Sequence, residues 1–408
     1  MPGASRGVRR QFWGILVSRA LGSAFQALAL VLLARTVTPS VFGMVNVVIA
    51  VVGFVLVVTG LGMSIFVPWA RARQAHGDVA AALRLNTLSN LASAVMLVPA
   101  IVVWAHVSGA PLAVALIGVS LALERNVDTW LGVPVADGES RVAVLSALAR
   151  RTVCLVVLGL VLLAGADPVL GFTGGLVLGA LVGQLHVRRA VRLAPAEPTP
   201  VREVLGRAAP FLVSNVTGQA RTLDVPIVAF VGGPIAAGVY AAATKLVQPV
   251  LLVPQALSTV LVPHATRLDV DQARRLGART LLALLGAAVL GTPLVLLRDE
   301  VVVLVLGEQY RDAGATFAVA LVAVGCVAWA VSVGAILQGQ GRQRVVAWLG
   351  AGFAVLLLAG VAIGTYLGGP VGAAAGLALA WFVYAVTLAA LLASPVRTNA
   401  SGAVGPPG

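Results

Sequence analysis

The sequence predicts an all-α integral membrane protein of about 12 transmembrane helices, in two six-helix bundles related by pseudo-two-fold symmetry about the membrane normal. Apolar content, a one-sided distribution of basic residues and an internal repeat predict it. Hydrophobic residues fill 59% of the 408 positions, charged residues only 11%, and mean hydropathy is +1.00. A water-soluble domain of this length has no interior for so much apolar surface. A helix needs about 20 apolar residues to cross roughly 30 Å of hydrocarbon. Twelve such stretches follow one another: 12–34, 41–66, 84–106, 112–133, 142–164, 168–187, 207–231, 234–263, 275–298, 313–337, 344–367 and 370–393.

The first stretch is too long for a signal-peptide core, carries Arg19, and has no small-residue cleavage site after it, so it reads as an uncleaved first helix. With the N-terminus cytoplasmic, one side of the chain holds 21 of the 28 Lys and Arg, among them Arg71, Arg73, Arg141, Arg150, Arg151, Arg188 and Arg189. The other side keeps Arg35, Arg298 and Arg311. Basic loops stay inside during insertion, so both termini are expected in the cytoplasm. The net charge of +13 is then a topology signal with membrane-lipid contact as a by-product, and no nucleic-acid partner is expected. The expected domains are a cytoplasmic N-terminus (1–11), a first lobe of helices 1–6 (12–187), a cytoplasmic linker through Pro195, Pro198 and Pro200 (188–206), a second lobe of helices 7–12 (207–393) and a disordered cytoplasmic tail (394–408).

The repeat gives the symmetry. Pro39, Gly43 and Pro68 frame the second span, and Pro234, Gly238 and Pro263 frame the eighth with a uniform shift of 195 positions. Weaker echoes are Gly138-x2-Arg141 and Gly341-x2-Arg344, then Gly175-x3-Gly179 and Gly372-x3-Gly376. The last two read as packing seams, because small residues four apart let helix backbones approach. An even number of spans per half starts both halves on the same side, as in parallel-repeat transporters.

Several segments carry a family resemblance. Ala34-Arg35-Thr36-Val37-Thr38-Pro39-Ser40-Val41-Phe42-Gly43 resembles the first turn of bacterial polysaccharide-export flippases of the multidrug/oligosaccharidyl-lipid/polysaccharide (MOP) exporter superfamily. Gly238-Val239-Tyr240-Ala241-Ala242-Ala243, Leu306-Gly307-Glu308-Gln309-Tyr310-Arg311-Asp312-Ala313 and Gly339-Gln340-Gly341-Arg342 resemble further motifs of that family, in the right order. The resemblance implies a MOP/MATE-like fold that flips a polyprenyl-pyrophosphate-linked oligosaccharide, with polysaccharide polymerase and glycosyltransferases as further partners. Twelve spans leave no room for the extra helix pair of the lipid II flippases.

An ionisable group inside a span costs about 2.5–3.5 kcal/mol on insertion scales, so each is a candidate functional residue. Arg19, Arg125, Arg221 and Lys245 are the basic ones. Arg19 shares a helix face with Ser23 and Gln26, or snorkels to the interface. Arg221 lies three residues from Asp224, close enough for a structural pair. Tyr240, Thr244, Gln248, Gln255 and Thr259 form one polar stripe of the eighth helix with Lys245 at its margin. Such a stripe must face protein or water, and a cation among amide and hydroxyl donors suits a pyrophosphate-bearing sugar. The candidate substrate ligands are thus Arg19, Gln26, Arg221, Tyr240, Lys245, Gln248 and Gln255. Glu124 and Asp128 are one turn apart in the fourth helix, with Arg125 placed to offset one of them. They are the candidate ion-coupling acids, with Asp224 next, or else a self-compensated group that packs the helix. The charges at Arg298–Glu300 and Glu308–Asp312 read as a solvated loop on the outer side.

No catalytic residue, cofactor or metal is expected. His76, His106, His186 and His264 lack ligand spacing, and Cys154 and Cys326 lie inside spans. A phosphate-binding loop needs Gly-Lys-Ser/Thr, and the one lysine follows Thr244. Moving a charge of about −2 outward across an inside-negative 100 mV releases about 4.6 kcal/mol. An ion-coupled small-molecule or drug antiporter of the same superfamily would share the fold but line its cavity with acids. A membrane glycosyltransferase would need a large acidic loop after the first helix, where residues 35–40 hold no acid. Arg over Lys with abundant Ala, Gly and Val is what a GC-rich genome encodes, and the basic-inside pattern suits a bacterial plasma membrane.

Overall fold

A computed structural model describes residues 22–394, apart from 194 and 198 and the side chains of Ser214, Val253, Gln255, Ala256, Thr259, Val260 and Pro263. Arg19, the N-terminal segment expected in the cytoplasm and the tail beyond Ser394 lie outside the described residues. The helices are α1 (Gly22–Thr36), α2 (Pro39–Thr59), α3 (Met63–Ala72), α4 (His76–Ser108), α5 (Leu116–Ala136), α6 (Ser140–Leu163), α7 (Pro168–Ala190), α8 (Val201–Ala220), α9 (Asp224–Val247), α10 (Leu252–Ala265), α11 (Val270–Leu296), α12 (Arg298–Leu306), α13 (Gly314–Gly339) and α14 (Gln343–Ala393). Eight stretches are long and apolar enough to span a membrane, and two of these run for 51 residues. Each of the two folds back on itself, at Gly233 (φ 83°) and at Gly368–Gly369. The Tyr240 hydroxyl donates to Asp224 at 2.9 Å, which 16 residues of straight helix, about 24 Å long, would forbid. With each of those two counted as a pair, and α1 and the charged α5 added, the described residues hold twelve spans.

Helix starts follow local chemistry. Thr38 caps α2 through Val41 N–H, and Asp167 caps α7 through Val169 N–H, each ahead of a proline in the first turn. Asp269 and Gln272 cap α11 reciprocally. Three expected spans are broken where they were read as continuous; the seventh is interrupted by a 3-10 turn, Arg221–Leu223, between α8 and α9. The second is split into α2 and α3 at Gly60–Gly62, where Leu61 and Gly62 are left-handed. Gly62 lets this turn lie against α8, since a Cβ there would sit 2.5 Å from Leu212 N. The eighth is split between α9 and α10 by a 3-10 turn, Gln248–Leu251. Pro249 causes it, because it lacks an N–H and its ring crowds the carbonyl one turn back.

The repeat is visible as a reciprocal contact. A Cβ on Gly43 would meet the Pro234 carbonyl oxygen at 2.2 Å, and one on Gly238 would meet the Pro39 carbonyl oxygen at 1.8 Å. Residue i touching j while the symmetry mate of j touches that of i is the mark of a two-fold axis. The small-residue seams also pack: Gly175 and Gly179 lie on the backbone of Cys154 and Arg150, while Gly372 and Gly376 lie on Gly364 and Gly360. The linker is tied to the start of α4, where Asp78 accepts from Thr199 Oγ1 and Arg207 at 2.6 Å each.

Candidate functional site

At the arginine-poor face the two lobes are clamped together. Arg35 donates to the carbonyls of Leu304 and, at 2.7 Å, Val305. Gln309 Nε2 donates to the carbonyls of Ala34 (2.7 Å) and Val37 (3.0 Å), satisfying the end of α1. Tyr310 is fully buried, edge-on to Phe42 at 6.2 Å. The segment read as a solvated loop is also a clamp: Arg298, Glu300, Glu308, Arg311 and Asp312 are exposed, and Arg311 holds the Glu308 carboxyl below its usual value, while Gln309 and Tyr310 of the same turn reach the first lobe. The Gly339–Arg342 motif acts similarly at the other face, where Gln340 Nε2 donates to Ala265 and Leu268 carbonyls at 2.7 and 3.1 Å.

Beneath the clamp, a cavity of about 430 Å3 opens between α1 and the broken helix α9–α10. Gln26, Lys245 and Gln248 supply its polar wall, with Ser23 beside them and Phe42 and Leu306 in its lining. A smaller chamber of about 80 Å3 shares Gln26, Leu30 and Lys245 with it and reaches into the first lobe to Asn46, Glu124 and Arg151. Lys245 thus stands in the wall common to both. Among the described residues, the charged groups lining the two chambers are Lys245, Arg151 and Glu124, a net positive balance.

The first-lobe charges pair differently from the sequence reading. Arg150 donates to Asp128 at 2.7 Å and to Glu124 at 3.3 Å, and Arg151 donates to Glu124 at 2.8 Å. These arginines were assigned to a loop on the basic side. They lie ten and eleven residues inside α6, about 15 Å along its axis. Arg150 fits because Gly183 faces it, where a Cβ would sit 2.6 Å from its Cδ. Arg125 does not offset the acids; it lines a separate small pocket with Asn86, Asn90 and Asn215. The signal that would have found the pair is depth: two basic residues opposite two acids at matching distance from the same face.

The second-lobe candidates also separate. Asp224 is not paired with Arg221 among the described residues. It accepts from Tyr240 and from Val225 N–H at 2.8 Å, and its charge reaches Lys245. Tyr240, expected in the cavity wall, is wholly buried on that bond. Its stripe is interrupted at Pro249, so Gln248 faces the chamber while Gln255 belongs to the next helix, with its side chain outside the described residues. Arg221 lines another cavity, among aromatic residues of α14.

A family model described as polysaccharide biosynthesis protein matches residues 32–315, well over half of the chain. This chain belongs to the polysaccharide biosynthesis protein family. No curated protein matches it. Its fold is similar to solved MOP-superfamily transporters. A multidrug-resistance MATE family transporter in its inward-facing conformation aligns with TM-score 0.72 at 15% identity, over 91% of this chain and 93% of that one. The outward-facing conformation of a MATE family transporter gives 0.63 at 16%, over 93% of each. A MOP-superfamily transporter from Pyrococcus furiosus, whose binding pocket is described as having reverse polarity suggesting a different function, gives 0.63 at 16% over 93% of each. This member of the polysaccharide biosynthesis protein family thus has a fold similar to that of MOP-superfamily transporters over more than nine-tenths of its length.

Proposed function

We propose that this protein flips a polyprenyl-pyrophosphate-linked oligosaccharide from the inner to the outer leaflet by alternating access. The observation that carries the reading is the position of Lys245. The only lysine of the chain stands between amide side chains in the wall shared by two chambers whose charge balance is positive. Pyrophosphate matches the cation, and sugar hydroxyls match Gln26 and Gln248. A drug-cation antiporter would need the opposite balance, and the Pyrococcus furiosus transporter is a precedent for pocket polarity that differs within this superfamily. Both termini are cytoplasmic in a bacterial plasma membrane in this reading, so the clamp shuts the outer side and the cavity admits substrate from within.

The pairing within the first lobe favours Asp224 over Glu124 as the coupling acid. Glu124 is held by two arginines, whereas Asp224 has no ion pair within 4 Å among the described residues and lies within electrostatic reach of Lys245. Pyrophosphate on Lys245 would withdraw the cation from Asp224 and favour proton uptake there. Glu124 and Asp128 with Arg150 and Arg151 then pack the lobe as a neutral group.

Deleting the gene should leave a lipid-linked glycan accumulating in the inner leaflet. Lys245→Ala should fail to restore export at normal protein level, while Lys245→Arg restores part. Full complementation by Lys245→Ala sinks the reading. In proteoliposomes, Asp224→Asn should flatten the pH dependence of transport, and Glu124→Gln with Arg151→Gln should leave it intact.

A further inference from the structure

The second-lobe cavity has no part in the reading above. It measures about 430 Å3, inside the roughly 300–1,000 Å3 of small-molecule sites, and lies between α8 and the two arms of α14. Its wall combines one guanidinium, Arg221, with Trp348, Phe353, Trp381 and Tyr384. Phe353 stacks on Tyr384 with centroids 4.4 Å apart and planes 16° off parallel, and it meets Trp381 at 4.4 Å. Trp381 stands edge-on to Tyr384 at 6.1 Å. Rings that brace one another form a rigid platform and lose little entropy when a ligand arrives. Trp348, also in the cavity wall, is 81% exposed. Among the described residues, neither the Arg221 guanidinium nor the Tyr384 hydroxyl has a hydrogen bond or ion pair.

The opposite lobe shows what changed. Arg221 is the repeat mate of Gln26 by the shift of 195, and Phe353 is the mate of Arg150 by the 203 that separates Gly138 from Gly341. In the first lobe Arg150 lies against Gly183 and pairs with two acids. In the second lobe an aromatic ring holds that position, and α13 has no charged residue. Ion pairs have been exchanged for π faces, and one cation remains uncompensated.

That combination selects a ligand. A pyranose ring offers a face of C–H groups with partial positive charge, which complements the negative face of an aromatic ring. Its edge carries oxygens for the five donors of a guanidinium. An acyl chain has no use for Arg221, and a cationic drug is repelled by it. We infer that this cavity is a glycan subsite, stacking sugar rings on Trp348 and Tyr384 with Arg221 on their oxygen-rich edge, while the phosphate end sits at Lys245. The inference rests on the glycan-transport reading, and Arg221 leaves the pyrophosphate site for the sugar site.

Binding to the purified full-length protein in nanodiscs tests it, measured by calorimetry with two probes: farnesyl pyrophosphate, and farnesyl pyrophosphate carrying N-acetylglucosamine. The wild type should bind the glycosylated probe at least ten-fold tighter. Trp348→Leu and Tyr384→Leu should each erase that gain and leave farnesyl pyrophosphate affinity unchanged. Trp348 is exposed, so its replacement does not threaten folding. A gain that survives in both variants, or a wild type with no gain, overturns the subsite. Lys245→Gln should weaken both probes alike; equal affinity of that variant for both probes and the wild type's values sinks the central reading instead. A wild type that binds neither probe overturns both.

Discussion

Gly238→Ala is the most direct perturbation of the clamp between the lobes. A Cβ at Gly238 would lie 1.8 Å from the Pro39 carbonyl oxygen and 2.6 Å from its carbon, where ordinary contact begins at 3.4 Å. Both partners are backbone, so no side chain can rotate away, and α2 and α9 must part by roughly 1.6 Å, the shortfall against that contact distance. Overpacking of this kind costs about 1–3 kcal/mol. Only the state closed at this face carries that cost, so the ratio of open to closed should rise about 5- to 150-fold, at about 1.4 kcal/mol per factor of ten. The readout is a cysteine at Ala242, a cavity-lining residue 1% exposed, in a chain with Cys154 and Cys326 replaced. An impermeant maleimide applied to the arginine-poor face should label it faster in Gly238→Ala and in its mate Gly43→Ala. Gly286→Ala, with nothing within 4 Å, is the control. Normal abundance with parental labelling rates in both glycine variants would refute the argument that this crossing closes the gate.

Arg150→Ala should destabilise the fold by about 1–3 kcal/mol, less than for a fully buried pair, because the Asp128 side chain is half-exposed and Glu124 keeps Arg151. Thermal unfolding should show the loss, and Arg150→Met with Glu124→Gln and Asp128→Asn should recover most of it. Gln309→Ala should open the clamp to an extent comparable with Gly238→Ala, by about 1 kcal/mol for each of the bonds to Ala34 and Val37 that it loses, in the same labelling assay. Topology is checked by cysteines at Gly109 and Gly368, expected to label from outside, and at Gln74 and Ala196, expected from inside. Ala196 is exposed, whereas the nearby Thr199 is half-buried on Asp78. A reversed pattern at two of these sites removes the two-lobe topology.

Twelve spans and their symmetry were legible because both depend on sums over many residues: hydropathy over twenty positions, and a Pro/Gly frame recurring at one shift. The breaks were less visible. Pro249 lies within an apolar run, and its consequence for the polar stripe of the eighth span comes from local backbone chemistry that periodicity averages away. Lys245 and Gln248 were found as cavity residues since a polar side chain in lipid must have company. Their neighbours were misjudged where company is chosen by another helix. Arg125 is adjacent to Glu124 in sequence, yet Arg150 and Arg151 reach the acids, because only the packing of α5 on α6 decides which cation is near. Tyr240 shows the same limit from the other side, for its partner Asp224 lies across a hairpin turn. The flippase motifs were read as family marks; Gln309 and Gln340 turn out to be caps on the ends of other helices.

The crossing of Pro39 with Gly238, and of Pro234 with Gly43, has a genetic consequence. It is an isologous contact, the geometry that two identical copies of a half-length chain make when they pair about a two-fold axis. In such a pair one glycine codon serves both contacts, and one mutation damages both together. In the fused chain the contacts are encoded separately, and each half is free to drift except where it meets the other half's backbone. Arg150 and Phe353, at matching positions, mark what that freedom has allowed. The two glycines mark where it stops.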